Sequence, residues 1–168
     1  MSSKLVEVID SLQTYTYELS ELEGDNFSPE FKPDLTPAKM LELGVFGANY
    51  FQGEYTELPE SWLKQAKISE HGHDSAMNFF EIDASQSRAV WLQKGWINDI
   101  DPRGWFQWYY RYYRGRRLKD EDNRQISRWK QMKRHLAQIQ RNCAKGDWSC
   151  RRRQRQALLH WAYDNRKI

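Results

Sequence analysis

Apolar residues recur every three or four positions over the first 23 residues, which is the spacing of one face of an amphipathic helix. The pattern stops before Gly24, a residue type that commonly closes helices. The apolar positions are Leu5, Val8, Leu12, Tyr15, Leu19 and Leu22. We therefore predict an N-terminal amphipathic helix within residues 1–24, which either packs on its own domain or pairs with a helix of a partner.

Capping residues predict further helices downstream. Thr36 before Pro37 is a helix-start signal with Gly44 as the stop, and Asp101 before Pro102 repeats that signal. The predicted helices begin at Pro37 and Pro59, and run from Ser85 to Lys94, from Asp101 to about Arg114, from Asp120 or Asp122 to about Cys143, and from about Ser149 to Asn165.

Outside these predicted helices, few segments have the pattern of a β-strand. Residues 45–57 fit a short hairpin or an ordered loop, and residues 77–84 contain a short candidate strand. The predicted fold class is mostly α, a compact multi-helix domain with at most a small β element in the N-terminal half. After the N-terminal helix of residues 1–24, we expect residues 25–168 to form this single domain.

Charge is distributed unevenly along the chain. Residues 1–87 contain 5 Lys and Arg against 16 Asp and Glu, whereas residues 88–168 contain 21 against 7, together with seven of the eight Trp. Cations displace counterions from phosphates and aromatic rings stack on bases, so the second composition is typical of a polyanion-binding protein. The alternative is that the acidic and basic parts neutralise each other within one fold.

The segment 101–117, DPRGWFQWYYRYYRGRR, is the densest in side chains that carry chemistry. On a helix, one face is aromatic and predicts a buried core, with Trp105, Phe106, Trp108, Tyr109, Tyr112 and Tyr113. The other face has Arg103, Gln107, Tyr110, Arg111 and Arg114, and Arg116 and Arg117 follow. Guanidinium groups hold phosphates in bidentate geometry. We therefore predict an anion-binding face here, the alternative being a face that meets solvent or pairs with acids.

A second polar face is predicted on the long helix that ends near Cys143. It carries Arg124, Arg128, Gln131, His135, Gln138 and Asn142. The final helix opens with a basic run that adds Arg151, Arg153 and Arg155. Two helices joined by a short turn are similar to a helix-turn-helix, and Arg and amide side chains read base edges. Because many basic helix pairs bind nothing, the pattern favours general nucleic-acid contact over base-specific recognition.

Cys143 and Cys150 combine with His135 and His160 in the spacing H-x7-C-x6-C-x9-H. Thiolates and imidazoles are zinc ligands, but no tight C-x2-C pair is present. Reduced core thiols, a zinc site and a disulfide all remain open, and an intracellular setting disfavours the disulfide. We predict no cofactor, with zinc as the alternative.

Catalytic candidates are few. The sequence contains no P-loop, G-x-G-x-x-G, G-x-S-x-G or H-E-x-x-H motif. Asp101 is either a helix cap or a general base beside the arginines, and His135 and Asn78 are weaker candidates. The run HGHD at 71–74 suggests metal ligation but lacks a partner cluster, so we interpret it as a solvated loop.

Several long motifs resemble an uncharacterised family found in large DNA phages and eukaryotes. The motifs are PDLTPAKMLELGVFGANYF at 33–51, DPRGWFQWYYRYYRGRR at 101–117, RQI with RW at 124–129, RH at 134–135 and RQRQALLHWAY at 153–163. The resemblance extends over roughly residues 33–166 and leaves out the first helix. It implies one integrated domain, and it implies no activity because the family has none assigned.

Three functional hypotheses follow. The favoured one is an α-rich protein that binds nucleic acid or another phosphate-bearing polyanion through arginine stripes and stacked aromatics. The alternatives are an enzyme acting on a nucleobase, a nucleotide or another phosphorylated substrate, and an assembly protein that forms a homo-oligomer or binds a protein through residues 3–23.

No apolar run reaches the length of a membrane span and the N-terminus is not signal-like. We therefore expect an intracellular protein, cytoplasmic or nuclear, without a membrane partner.

Overall fold

Helices form most of the regular structure in the computed structural model, which describes residues 3–168. In chain order, the helices are α1 Pro37–Leu43, α2 Glu60–Gln65, α3 Arg88–Gln93, α4 Trp105–Arg114, α5 Lys119–Gln131, α6 Lys133–Asn142 and α7 Arg152–Leu159. The strands β1 Lys4–Ile9 and β2 Thr14–Leu19 form a two-stranded antiparallel sheet. The predicted mostly-α class with a small β element in the N-terminal part is confirmed.

The N-terminal segment is a β-hairpin, so the predicted helix over residues 3–23 is wrong. The register pairs Val8 with Tyr15 and Val6 with Tyr17, and these four side chains lie on the more buried face of the sheet. In the turn, the Asp10 carboxylate accepts two backbone N–H groups. Alternating β-branched and aromatic residues therefore decide the local structure, and the helical spacing was a coincidence of leucines on opposite faces.

The chain divides into two compact units, each built from two separate stretches. Unit 1 contains the residues up to Lys32 together with Gln86–Lys130, and unit 2 contains Pro33–Ser85 together with Gln131–Ile168. This division describes compactness only, so the single domain over residues 25–168 stays a prediction. Within residues 3–168, no helix is both long enough and apolar enough to cross a bilayer.

Unit 1 has an aromatic core centred on Phe31. The ring of Phe31 contacts rings of α4 and α5, with the Trp129 centroid at 4.9 Å and the Trp108 and Tyr109 centroids at 5.4 Å. Most of these contacts are edge-to-face, the arrangement that the ring quadrupole favours. The predicted aromatic core face of α4 is confirmed.

The end of α4 touches the hairpin through Gly115. Its carbonyl accepts hydrogen bonds from the N–H groups of Ser20 and Glu21, and its φ is +124°. A Cβ at this position would collide with the backbone of Glu21. Glycine is therefore required both for the positive φ and for the close approach.

Unit 2 packs α1, α2, α6 and α7 around aliphatic side chains. Met40, Ile139, Leu158 and Leu159 are fully buried there. The Thr36 hydroxyl accepts the Lys39 N–H at the start of α1, so the predicted cap of this helix is confirmed.

Other predicted boundaries differ from the structure. The cap of α3 is Ser87 rather than Ser85, and the predicted long helix is interrupted at Met132, between α5 and α6. Residues 77–84 form no strand, and residues 45–57 take the loop alternative with a 3-10 turn. Asp101 is not the cap of α4, which begins at Trp105 after Gly104.

Candidate nucleic-acid interface

The residues predicted to bind anions separate by exposure. The buried ones are Arg103, Gln107, Arg111, Arg116 and Arg155. The half-buried ones are Arg114, Arg117, Arg124 and Arg128. The exposed ones are Arg151 and Arg153. Spacing along the predicted helices therefore did not distinguish arginines that meet solvent from arginines that the fold covers.

Two arginines hold the Asp101 carboxylate in the interior of unit 1. Arg116 binds it in bidentate geometry, with Nη1 2.8 Å from Oδ1 and Nη2 2.7 Å from Oδ2. Arg111 Nη1 lies 2.9 Å from the same Oδ1. All three side chains are at most 1% exposed. Because both carboxylate oxygens already accept strong hydrogen bonds, we assign Asp101 a structural role and do not propose it as a general base.

A second acidic residue, Asp10 in the turn of the β-hairpin, pairs with Arg103 next to these two arginines. Arg103 Nη2 lies 3.4 Å from Asp10 Oδ2, and Arg111 Nη2 donates to Gln13 Oε1 over 2.7 Å. Arg103, Arg111 and Arg116 with Asp10 and Asp101 are called the buried arginine cluster below. It joins the hairpin turn to α4 and explains why the polar face of α4 is covered.

Tyrosine rings of β2 cover the guanidinium groups. The Arg111 Cζ lies 5.3 Å from the Tyr15 centroid and 5.1 Å from the Tyr17 centroid, and the Arg116 Cζ lies 5.6 Å from the Tyr17 centroid. Burial opposes the charge of Arg116, but the hydrogen bonds and charge of Asp101 raise the pKa of this arginine above its usual value. Arg116 therefore keeps its charge beside Asp101.

The amide of Gln107 completes the polar interior of α4. Its Oε1 accepts the Arg103 N–H over 2.9 Å, and its Nε2 donates to the Tyr110 hydroxyl over 3.2 Å. The expectation that Arg103, Gln107 and Arg111 form an open phosphate-binding face is therefore wrong, as it is for Arg116. These groups bind other groups of unit 1 and are closed to solvent.

Half-buried arginines of unit 1 also bind partners within the unit. Arg117 donates to the Tyr112 carbonyl over 2.6 Å, with its Cζ 3.8 Å from that ring centroid. Arg124 pairs with Glu121 over 2.7 Å. Burial and the neighbouring Arg124 lower the pKa of Arg128 to about 10. Arg114, at the end of α4, is half-buried.

Arg155 of α7 is buried in unit 2, so it is also removed from the predicted interface. It donates to backbone carbonyls of Cys150, Asn165 and Ile168 over 2.9–3.0 Å. Its role is to hold the C-terminal segment against α7.

The chain from α6 to the start of α7 carries cations of a different kind. Seven of them are exposed, and within residues 3–168 none forms an ion pair. They are Lys133, Arg134, Arg141, Lys145, Arg151, Arg152 and Arg153, called the α6–α7 basic segment below. Asp147 is the sole acidic residue between positions 133 and 153. This is a local excess of positive charge without internal compensation.

A disulfide between Cys143 and Cys150 holds the two ends of the α6–α7 connection together, with the two Cα atoms 5.7 Å apart. The reduced-thiol and zinc interpretations are therefore wrong for these cysteines. Among residues 3–168, no group of three or more His, Cys, Asp or Glu side chains has the arrangement of a metal site. The cross-link brings the C-terminal end of α6 close to the basic start of α7.

His135 and His160 have different surroundings. The His135 Nδ1 lies 2.9 Å from Gln154 Nε2, an amide donor. Partial burial and the charge of Arg134 lower the pKa of His135. His160 is buried, and burial lowers its pKa to about 3. Neither histidine lies in a metal-binding group.

The buried His160 lies 3.2 Å from the Ser85 hydroxyl through Nδ1, a pair that superficially resembles a catalytic dyad. Its Nε2, however, accepts the Phe46 N–H over 3.2 Å. The neutral ring must then carry its proton on Nδ1 and donate to Ser85 Oγ, so it cannot remove the serine proton. The contact stabilises the fold and does not activate a nucleophile.

The remaining catalytic and metal candidates have local structural roles. Asn78 is buried, with Oδ1 accepting the Gly47 N–H and Nδ2 donating to the Ile82 carbonyl. His71 is exposed, and His73 lies 3.4 Å from a carboxylate oxygen of Asp83. Of the α6–α7 basic segment, only Arg151 and Arg153 were predicted as site residues, because the predictions rested on helical spacing. The sequence does contain a signal for this segment, which is a run of cations interrupted by a single acidic residue, Asp147.

No known protein family matches the chain, and neither a curated protein nor a solved structure matches it. The resemblance of residues 33–166 to a phage and eukaryotic family therefore stays a prediction.

Proposed function

We propose that this protein binds nucleic acid through the α6–α7 basic segment. The observation that carries the proposal is the set of seven exposed cations without an internal ion pair. Exposed like charges repel one another, and a polyphosphate relieves that repulsion while releasing its own condensed counterions.

The placement of these cations supports the proposal further. Arg151, Arg152 and Arg153 are consecutive and exposed at the start of α7. Arg151 donates to the Gln154 amide oxygen over 3.3 Å, and Arg152 reaches the Glu81 carbonyl at 3.4 Å. These contacts are to neutral groups, so the guanidinium charges remain available to a phosphate backbone.

A salt-dependent binding titration tests the proposal. The wild-type chain and an Arg151→Gln/Arg152→Gln/Arg153→Gln variant are titrated against a fluorescent oligonucleotide between 50 and 200 mM salt. Each lost phosphate contact lowers the slope of log K against log salt by about 0.7–0.9, so the triple variant is expected to lose about 2–3 slope units. Its affinity at about 0.1 M salt is expected to fall by roughly 10-fold or more.

A matched control removes the same charge elsewhere. Lys32, Lys64 and Lys67 are exposed outside the α6–α7 basic segment. A triple Lys→Gln variant at these positions is expected to keep nearly the wild-type salt slope. Equal losses in the two triple variants would show that net charge alone drives binding, and absence of wild-type binding at low salt would refute the proposed function.

Assembly through the β-hairpin is a second candidate function. Leu5 is 70% exposed and Ile9 is 67% exposed, on the face of the sheet opposite to Val6 and Val8. Exposed aliphatic side chains on a short sheet favour burial against a second copy of the chain. Light-scattering mass is expected to fall from dimer to monomer in a Leu5→Ser/Ile9→Ser variant, and a monomeric wild type would remove this candidate.

A further inference from the structure

Trp148 is an exposed aromatic side chain that unit 2 holds in a fixed position. It is 43% exposed, although a tryptophan gains more by burial than almost any other side chain. Its Nε1 donates to the Arg166 carbonyl over 2.8 Å. Its ring centroid lies 5.1 Å from that of Phe79 and 5.7 Å from that of Phe80, at steep interplanar angles. The indole is thus anchored on part of its surface and open on the rest.

The loop that carries Trp148 is closed and internally bonded. The disulfide Cys143–Cys150 joins its ends. Within the loop, the Asp147 carboxylate accepts both the backbone N–H and the hydroxyl of Ser149. Asp147 N–H also donates to the Ala144 carbonyl. A ring presented on such a loop loses little conformational freedom when a ligand covers it.

Cations flank the exposed ring along the chain. Lys145 precedes Trp148 by three residues and Arg151 follows it by three, and both side chains are exposed. An aromatic ring bordered by cations is the arrangement with which proteins bind unpaired nucleotides, because the ring stacks on a base while the cations meet the phosphates. The bases of a duplex are already stacked on each other and do not present a free face to the ring.

We propose that Trp148 is a stacking platform for an unpaired base, and that the ligand of the α6–α7 basic segment is single-stranded nucleic acid. This inference rests on the proposed function and adds the class of nucleic acid. Phosphate contacts alone do not involve the bases of either a single strand or a duplex. Stacking on Trp148 gives the single strand an additional contact, through an unpaired base.

Equilibrium titrations with a thymidine oligonucleotide and with a duplex of the same length test the inference. The wild-type chain is expected to bind the single strand more tightly. A Trp148→Ala variant is expected to lose about 5- to 150-fold in single-strand affinity, the range for loss of one stacked base, with duplex affinity within 2-fold of wild type. Trp148→Phe keeps a ring and is expected to recover part of the loss.

Trp96→Ala is the matched control, because Trp96 is 37% exposed but lies in unit 1. Its single-strand affinity is expected to stay at the wild-type level. Equal affinity of the wild type for both ligands would overturn the inference and leave the proposed function standing. An equal loss on both ligands in Trp148→Ala would also overturn it. No binding of either ligand at low salt would refute the proposed function itself.

Discussion

The two units use arginine in opposite ways. In unit 1, the three guanidinium groups of the buried arginine cluster are each at most 3% exposed, and they contact two carboxylates, two tyrosine rings and an amide. In unit 2, the α6–α7 basic segment exposes seven cations that meet no carboxylate within residues 3–168. Residue type alone therefore does not distinguish a structural arginine from one whose charge is open to solvent. The presence of a buried counter-charge distinguishes them.

Removing the counter-charge of the buried arginine cluster is expected to have the largest effect on stability. Asp101→Asn leaves Arg111 and Arg116 ionised and buried without their shared carboxylate. Breaking a buried ion pair in this way costs about 3–5 kcal/mol. Urea unfolding followed by circular dichroism measures the change in the free energy of unfolding.

The control for Asp101→Asn is Asp99→Asn, which makes the same change at an exposed position two residues earlier. Its stability is expected to stay within about 0.5 kcal/mol of wild type. If the two variants were equally stable, the cluster would not hold unit 1 together.

Acid is expected to destabilise unit 2 through His160, whose folded pKa is lowered to about 3 by burial. Below about pH 6.5, the unfolded chain binds a proton on this histidine and the folded chain does not, so stability falls as the pH falls. The loss amounts to about 2–3 kcal/mol between pH 6.5 and 4.5. His160→Gln is expected to remove this part of the pH dependence, as measured by urea unfolding at both pH values.

His71→Gln serves as the comparison for this pH dependence, because His71 is exposed. It is expected to retain the wild-type loss of stability on acidification. Retention of the full loss in His160→Gln would assign the effect to other groups.

Local signals in the sequence predicted part of this structure. The cap and stop of α1 are set by Thr36, Pro37 and Gly44, which act within a few residues, so the helix was predicted correctly. The hairpin was missed because its leucines match a helical repeat, whereas the alternation of Val6 and Val8 decides the pairing.

The candidate site was predicted less well, since exposure depends on contacts between distant segments. Arg103 and Arg111 are covered by hairpin residues that lie 93 to 98 positions earlier in the chain, namely Asp10, Gln13 and Tyr17. No helical periodicity contains that information. The exposed ring of Trp148 likewise depends on the Phe79–Phe80 segment packed behind it.

A single substitution in the α6–α7 basic segment is expected to have the smallest effect on stability. Arg152→Gln removes one exposed charge, so the free energy of unfolding is expected to change by less than about 0.5 kcal/mol. The salt slope of oligonucleotide binding is expected to fall by about 0.7–0.9. A large loss of stability with unchanged binding would reverse the roles assigned to the two groups of arginines.

Arginine modification by an α-dicarbonyl reagent, mapped by peptide mass spectrometry, tests the contrast between the two arginine groups most directly. In the native chain, the reagent is expected to modify Arg151, Arg152 and Arg153, and an added oligonucleotide is expected to protect them. Arg111 and Arg116 are expected to react only after unfolding. Modification of these two in the native chain, or their protection by the oligonucleotide, would contradict the account.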